Sequence, residues 1–204
     1  MSHPAQPEQE VGRSTAKFYA DVPNRVVALL VDAVLLTLLI FAGAVIVALV
    51  VGPAVEFDSA AENVGEAVTI RRGVAVVDAL LSLMLSAAYF VGSWRFLGGS
   101  PGQRWLGMTV VDDLGGDRVS ARRALARWAI LGAPFGAGAL LSAAVASSAV
   151  ALAVNVAVAV WYLVLLVTVA LSPTKQGVHD RVAHTVVAKE ARPVPWSGRT
   201  VDAR

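Results

Sequence analysis

The sequence contains no cysteine, so disulfide bonds, thiolate catalysis and cysteine-based metal sites are all excluded. Charge is also scarce, because only 16% of the 204 residues are charged whereas 56% are hydrophobic. A typical soluble domain carries about 25% charged residues. Together with a mean hydropathy of +0.65, this composition predicts an integral membrane protein.

Charge is almost absent from three long apolar stretches, 26–51, 74–97 and 128–171. A helix needs about 20 apolar residues to cross a hydrocarbon core of roughly 30 Å. The third stretch is about twice that length, so we expect two spans joined by a turn near Ser147 and Ser148. The first stretch exceeds a signal-peptide core of about 7 to 15 residues, which indicates an uncleaved span. The prediction is an all-α transmembrane fold, a four-helix membrane bundle with spans at 26–51, 74–97, 128–148 and 151–171.

The distribution of basic residues predicts the orientation of these spans. Most arginines and lysines occur before the first span, between residues 98 and 127, and after the last span, whereas the loop after the first span carries four acidic residues and only Arg71 and Arg72. The positive-inside rule then places both termini and the 98–127 loop in the cytoplasm of a multi-pass cell-membrane protein. On this interpretation residues 1–24 are a polar cytoplasmic segment, 25–189 the membrane domain and 190–204 a polar flexible tail.

The same cations predict the partners of the cytoplasmic side. They flank spans and are not interleaved with aromatic residues, so no nucleic acid is expected. A basic cytoplasmic face is instead expected to contact anionic lipid headgroups of the bilayer, because each nearby cation contributes about 1 kcal/mol at a charged leaflet. Its members are Arg104, Arg122, Arg123 and Arg127.

The 98–127 loop and the segment after the last span contain matching strand signals. Residues 107–111 are rich in β-branched side chains and are followed by the turn-forming residues 112–116, and residues 184–188 repeat that composition. An isolated strand leaves its backbone unpaired, so we expect 107–111 and 184–188 to pair with each other. Between them, Ser120 is a suitable N-cap for a basic interfacial helix that begins at Ala121.

Three motifs then occur in order along the chain. Arg25 precedes Asp32 by seven residues, GGSPGQRWLGMTVVD occupies 98–112, and QGVHDRVAHTVV occupies 176–187. Together they resemble the RDD family of small membrane proteins, which is named for one arginine and two aspartates. The resemblance covers about residues 22–189 and implies that Arg25, Asp32 and Asp180 are the family residues. It further implies either cation/proton antiport or a role as a membrane adaptor.

One interpretation of these residues is structural. Arg25 and Asp32 share a helix face but are separated by roughly 10 Å along the axis, and the Arg25 side chain leans away from Asp32. Arg25 therefore needs another partner, and Asp180 is the available anion. On this interpretation Arg25 and Asp180 clamp the tail to the first helix, while Asp32 accepts hydrogen bonds or an ion pair from Arg104 or Arg127.

The other interpretation takes Asp32 as a proton or cation site. A carboxylate within a span costs at least ~2.5 kcal/mol on insertion scales, and desolvation favours the protonated carboxyl, which can then exchange its proton for a cation. Polar side chains recur every three or four residues along the second span and form one stripe. The candidate ion path consists of Asp32, Asp78, Ser82, Ser86 and Tyr89. The alternatives for the stripe are ordinary packing contacts of the hydroxyls and an ion pair of Asp78 with Arg71 or Arg72.

Two functions follow from these interpretations. The first is a small cation/proton transporter that exchanges a monovalent cation for protons within a homo-oligomer. The second is a non-enzymatic membrane adaptor or assembly protein, whose basic cytoplasmic face binds partner proteins or anionic lipid. We expect no catalysis, cofactor or metal. The 98–104 loop lacks the ending of a phosphate loop, and the five-residue spacing of His179 and His184 does not place both on one helix face.

Overall fold

The computed structural model describes residues 17–59, 68–113, 118–145 and 147–190, and for residues 17, 18 and 190 only the backbone. Residues 1–16 of the predicted polar N-terminal segment and 191–204 of the predicted tail lie outside the described residues. The elements in chain order are β1 (Lys17–Tyr19), α1 (Val22–Val51), β2 (Val55–Phe57), β3 (Val68–Ile70), α2 (Arg72–Gly92) with a π-helical turn (Ser93–Leu97), α3 (Pro101–Trp105), β4 (Met108–Asp112), α4 (Ala121–Leu131), α5 (Ala133–Ala144), α6 (Ser148–Leu171), α7 (Val178–Val182) and β5 (Thr185–Glu190).

Within the described residues, three helices are long and apolar enough to cross a membrane. They are α1 with 30 residues, α2 with its π turn with 26, and α6 with 24. The predicted span 128–148 is not one straight helix, because α4 and α5 are bent by 52° where they meet, and the pair passes the same test only when both helices are taken together. The structure therefore has three candidate spans, or four if the bent pair counts as one.

The bend between α4 and α5 has a local cause. Pro134, in the first turn of α5, has no backbone N–H and cannot continue the hydrogen bonding of α4. At Gly132 a Cβ atom would come within 2.5 Å of Trp128 Nε1, so a larger residue would require the Trp128 side chain to move from its position over the helix junction. The N-terminus of α6 agrees with the predicted turn, since the Ser147 hydroxyl accepts a hydrogen bond from the Val150 N–H at 3.3 Å.

Close packing at small residues joins the helices in the order α1, α2, α5, α6. Gly43 of α1 faces Leu81 and Leu85 of α2. Gly136 of α5 lies against Leu83, where a Cβ atom would be only 2.4 Å from the leucine Cδ1. Small residues let helix backbones approach closely, which is how membrane helices gain packing energy. The outer faces of α1 and α6 carry exposed apolar side chains, for example Leu49 at 81% exposure, as expected of surfaces that lipid covers.

A three-stranded sheet lies at the end of the bundle where α1 begins, with strand order β1-β5-β4. β4 and β5 are antiparallel, and their register runs from Met108 opposite Lys189 to Asp112 opposite Thr185. This confirms the predicted pairing of 107–111 with 184–188. The third strand, β1, was not predicted; Tyr19 pairs with Ala188. We call this sheet, together with α3 and α7, the β module.

The β module has its own apolar core. The side chains of Met108, Val110 and Val187 are fully buried between the sheet and helix α4, together with Val119 and Trp94. Most of these residues lie in the segments that connect or follow the apolar helices. At the opposite end of the bundle, β2 and β3 form a separate two-stranded antiparallel ribbon.

Candidate functional site

The loop before α3 is shaped to hold an acidic side chain. Ser100 is the N-cap of α3 and forms a capping box with Gln103, whose side chain accepts a hydrogen bond from the Ser100 N–H at 2.9 Å. The same Gln103 oxygen accepts a hydrogen bond from Trp94 Nε1 at 3.1 Å. Pro101 fits the first turn because its position needs no N–H donor. These contacts fix the loop in one conformation.

Asp32 is bound by that loop and by α2. Its Oδ1 accepts hydrogen bonds from the Tyr89 hydroxyl and the Gly102 N–H, both at 2.8 Å, and its Oδ2 accepts one from the Ser100 hydroxyl. Only 2% of Asp32 is exposed. Among the described residues all of its donors are uncharged groups, so the expected ion pair with Arg104 or Arg127 is wrong. Arg127 is not among these donors because its guanidinium donates to Asp180 instead.

Glycine at position 102 is required by the closeness of α1 and α3. A Cβ atom at Gly102 would lie 2.2 Å from the carbonyl oxygen of Ala28 and 3.0 Å from Asp32 Cγ. The first of these neighbours is backbone and cannot move aside as a flexible side chain could. The close approach of the Gly102 backbone to α1 places its N–H within hydrogen-bonding distance of Asp32.

Asp180, the second candidate aspartate, is fully buried between two arginines. Arg25 Nη1 donates to its Oδ2 at 2.9 Å, Arg127 Nη1 donates to its Oδ1, and the Gly177 N–H donates to Oδ2 at 3.2 Å. The Arg25 contact confirms the predicted clamp between α1 and the segment after the last span. We call Arg25, Arg127 and Asp180 the charged triad.

Arg127 is the member that sequence reasoning assigned to a different role. Its Nη1 also donates to the Thr185 hydroxyl at 2.8 Å, and its guanidinium carbon lies 5.0 Å from the centre of the Trp94 ring, a cation–π arrangement. Its side chain is only 3% exposed. Its placement on the exposed basic face is therefore wrong, and the reason is the adjacent buried carboxylate.

Protonation near neutral pH does not change this cluster. Burial would raise the pKa of Asp180, but attraction to Arg127, His179 and Arg25 outweighs it and holds the pKa below its ordinary value. Burial is the main cause that lowers the pKa of His179 to about 4; attraction to Asp180 opposes this shift, and repulsion by Arg127 and Arg25 adds to it. At neutral pH the imidazole is therefore uncharged, and the triad holds two cations and one anion.

The polar stripe of α2 is engaged in local contacts along most of its length. Ser82 donates to the carbonyl of Asp78 at 2.7 Å, and Ser86 accepts a hydrogen bond from Trp128 Nε1 at 3.0 Å. Of the four α2 residues in the candidate path, Tyr89 is the one that contacts Asp32. The stripe thus connects α2 to its neighbours more than it lines a continuous route.

Asp78 differs from the rest of the stripe. Its Oδ1 is buried and has no hydrogen-bond partner among the described residues. Arg71, one of its two expected partners, instead donates to the Val51 carbonyl at 3.2 Å and lies 3.5 Å from Glu56. Among the described residues no ion pair joins Asp78 to Arg71 or to Arg72, so the expected pairing is wrong.

The remaining members of the predicted basic face have different surroundings. Arg123 forms a half-buried ion pair with Asp112 of β4, whereas Arg104 and Arg122 are exposed. Two exposed apolar side chains accompany them, Trp105 beside Arg104 and Leu125 beside Arg122. His184, with 64% of its side chain exposed, lies near Asp113 and apart from the charged triad.

Comparison with models of known protein families gives one match, the model described as the RDD family, over residues 19–184. This match spans α1 to α7 and contains both aspartates and all three members of the charged triad. No curated protein and no solved structure matches the chain.

Proposed function

Because this chain belongs to the RDD family of membrane proteins, we propose that it is a non-enzymatic membrane adaptor, in which the two aspartates and Arg25 fix the β module to the first helix. The module then presents a basic and aromatic surface at the membrane. On this proposal the family residues are structural, and the exposed side chains around them make the functional contacts.

The observation that carries this proposal is the hydrogen bonding of Asp32. Its two oxygens accept three hydrogen bonds from Tyr89, Ser100 and Gly102, and each donor directs a hydrogen at the carboxylate. A cation ligand needs the opposite arrangement, in which carboxylate, hydroxyl or carbonyl oxygens all face one ion. The carboxylate is thus already satisfied by the protein.

The topology that suits this role has four spans and cytoplasmic termini. The bent α4–α5 pair is the third span, and the β module lies on the cytoplasmic side of a cell membrane, where the positive-inside rule places the arginine-rich loop. Arg104 and Arg122, which are exposed, then lie at the level of anionic headgroups. Trp105, at 73% exposure, suits the same interfacial level, where tryptophan is enriched.

Lipid contact is tested by the binding of anionic lipid to the whole protein. We expect the variant Arg104→Gln/Arg122→Gln to retain less phosphatidylglycerol than the wild-type protein in native mass spectrometry, with phosphatidylcholine retention unchanged. The matched control is Arg72→Gln, because Arg72 is an exposed arginine at the other end of α2. Equal losses in both variants, or no loss in either, would contradict the proposed surface.

A second candidate function, cation/proton exchange, is favoured by the buried Oδ1 of Asp78, which has no hydrogen-bond partner among the described residues. An unpaired carboxylate oxygen within a span is expensive unless it binds a proton or a cation. The Ser82 hydroxyl, one helical turn from Asp78, donates its hydrogen to the backbone carbonyl of Asp78 and therefore not to the Asp78 carboxylate.

Flux across proteoliposomes separates the two functions. An imposed pH gradient is followed after addition of Na⁺, Li⁺ or K⁺, with the wild-type protein, Asp32→Asn and Asp78→Asn at equal yield and thermal stability. The adaptor proposal expects no cation-dependent flux above that of empty liposomes. Flux that is lost in either variant while folding is retained would replace the adaptor by a transporter that uses that residue.

A further inference from the structure

The β2–β3 ribbon is amphipathic across its two faces. Directly opposed residues in an antiparallel pair share a face, and here Val55 pairs with Ile70 and Phe57 with Val68. These four apolar side chains therefore lie on one face, which we call the apolar face of the ribbon. They are exposed in the structure by 40%, 59%, 78% and 38% respectively.

The opposite face of the ribbon is polar and faces the end of α1. Glu56 and Thr69 form the opposed pair on that side, and the ladder continues where the Arg71 N–H donates to the Ala54 carbonyl at 2.9 Å. The Arg71 guanidinium meets both Glu56 and the last carbonyl of α1, at Val51. Glu56 on the polar face is thus paired within the chain, whereas all four side chains of the apolar face are exposed in part, Phe57 most of all.

The depth of the ribbon follows from the lengths of α1 and α2. The part of α1 that is free of the β module begins after Asp32, and at about 1.5 Å per residue the distance from there to Val51 is roughly 30 Å, the thickness of the hydrocarbon core. The 21 residues of α2 give the same length. The ribbon, whose three-residue strands extend about 10 Å, therefore begins at the hydrocarbon edge and lies in the headgroup layer.

We propose that the apolar face of the ribbon docks onto the membrane itself and inserts Val55, Phe57, Val68 and Ile70 at the boundary between headgroups and acyl chains. The occupant is lipid because the ribbon begins four residues after α1 ends, and the last turns of α1 carry Leu49 and Val50, which are about 80% exposed as lipid-facing side chains of a span are. The ribbon is then an interfacial anchor of the leaflet opposite the β module. It restricts rotation and tilt of α1 and α2 at their shared end.

The absence of native cysteine makes this proposal directly testable. Nitroxide labels are attached one at a time to Phe57→Cys on the apolar face and to Glu56→Cys on the polar face, in the full-length protein in phosphatidylcholine and phosphatidylglycerol liposomes. Collision with oxygen, which partitions into lipid, is compared with collision with a water-soluble nickel chelate. Leu49→Cys on α1 provides the lipid-exposed reference.

We expect the ratio of oxygen to nickel accessibility at position 57 to be several-fold higher than at position 56 and close to that at position 49. Equal ratios at 56 and 57, with strong nickel collision, would place the ribbon in water and overturn the proposal. A label at 57 that is immobile, shielded from both reagents and broadened by a neighbouring spin would overturn it in favour of a second copy of the chain. If either variant fails to fold, Val55→Cys and Thr69→Cys repeat the comparison on the same two faces.

Discussion

Replacement of Asp180 by asparagine tests the charged triad most directly. The substitution preserves the shape of the side chain but removes the carboxylate that pairs with both Arg25 and Arg127. Both guanidiniums are largely buried, with side-chain exposures of 12% and 3%. Removal of one partner from a buried ion pair destabilises a protein by about 3–5 kcal/mol, because the remaining charge stays buried without compensation. We expect a loss in that range for Asp180→Asn.

The loss should appear first in the β module. Asp180 lies in α7, directly before β5, so opening of residues 177–190 separates the module from α1 and α4. Amide hydrogen exchange reports the free energy of such local opening. At 1.4 kcal/mol for each factor of ten, we expect exchange in this segment to accelerate by about two to three and a half orders of magnitude. The measurement is hydrogen–deuterium exchange with mass spectrometry on the protein in nanodiscs.

Two controls make the result decisive. Asp113→Asn removes an acidic group from the same module at a more exposed position, so exchange should change by less than about threefold. Arg25→Gln combined with Asp180→Asn removes one of the two stranded cations, so the double variant should lose less stability than the sum of the single variants. Equal effects of Asp180→Asn and Asp113→Asn, or strict additivity in the double variant, would refute the argument.

Three further predictions concern the neighbouring contacts. Gly102→Ala should lower stability by about 1–3 kcal/mol in thermal unfolding because its Cβ would meet the Ala28 carbonyl, whereas Gly92→Ala, with open space around it, should be tolerated. Asp32→Ala should destabilise the protein more than Asp32→Asn, because alanine leaves three donors unpaired, at about 1–3 kcal/mol for each buried group; equal melting temperatures would contradict the hydrogen bonding described. The free energy of unfolding should be highest above pH 6.5, the ordinary pKa of His179, because the imidazole is then uncharged in both the folded and the unfolded state. It should fall by roughly 3 kcal/mol as the pH drops to about 4, the pKa of His179 in the folded protein, because the unfolded state binds the proton more readily. The same fall in His179→Gln would contradict that assignment.

Much of the β module could be predicted from the sequence because its signals are local. The β-branched composition of 107–111 and 184–188 indicated two strands, and the need to pair their backbones indicated that they pair with each other. The Arg25–Asp180 contact followed from the direction in which helical side chains lean. The strand Lys17–Tyr19 was missed because three residues are too few to show an alternating pattern, and its partner lies near the other end of the chain.

Arg127 was misplaced because its charge was given more weight than its position on the helix. Ala124, Arg127, Trp128 and Leu131 recur at three- and four-residue intervals and lie on the face of α4 that packs inward. That periodicity was visible in the sequence and would have indicated a buried arginine. The contact of Ser100 and Gly102 with Asp32 was not accessible in this way, because it depends on how closely α3 approaches α1. The bend at Gly132 was likewise hidden, since span counting uses hydropathy and length alone.

The two aspartates are stabilised differently, and the explanation is where each is joined to α1, Asp32 by lying on that helix and Asp180 by its contact with Arg25. In the proposed topology Asp32 lies where α1 enters the hydrocarbon, so a second charge there would add a desolvation penalty of several kcal/mol, and uncharged donors satisfy the carboxylate without that penalty. The contact to Asp180 lies about two turns earlier, beside the β module, where the carboxylate pairs with two arginines and Arg127 also packs against Trp94 and donates to Thr185. Two attachment points roughly 10 Å apart on one helix face fix both the direction and the rotation of α1 relative to the module. A helix held in this way moves with the module as one rigid body. This suits an adaptor, which must present a surface at a constant height above the membrane. It suits a transporter less well, because a transporter must open its site to each side of the membrane in turn.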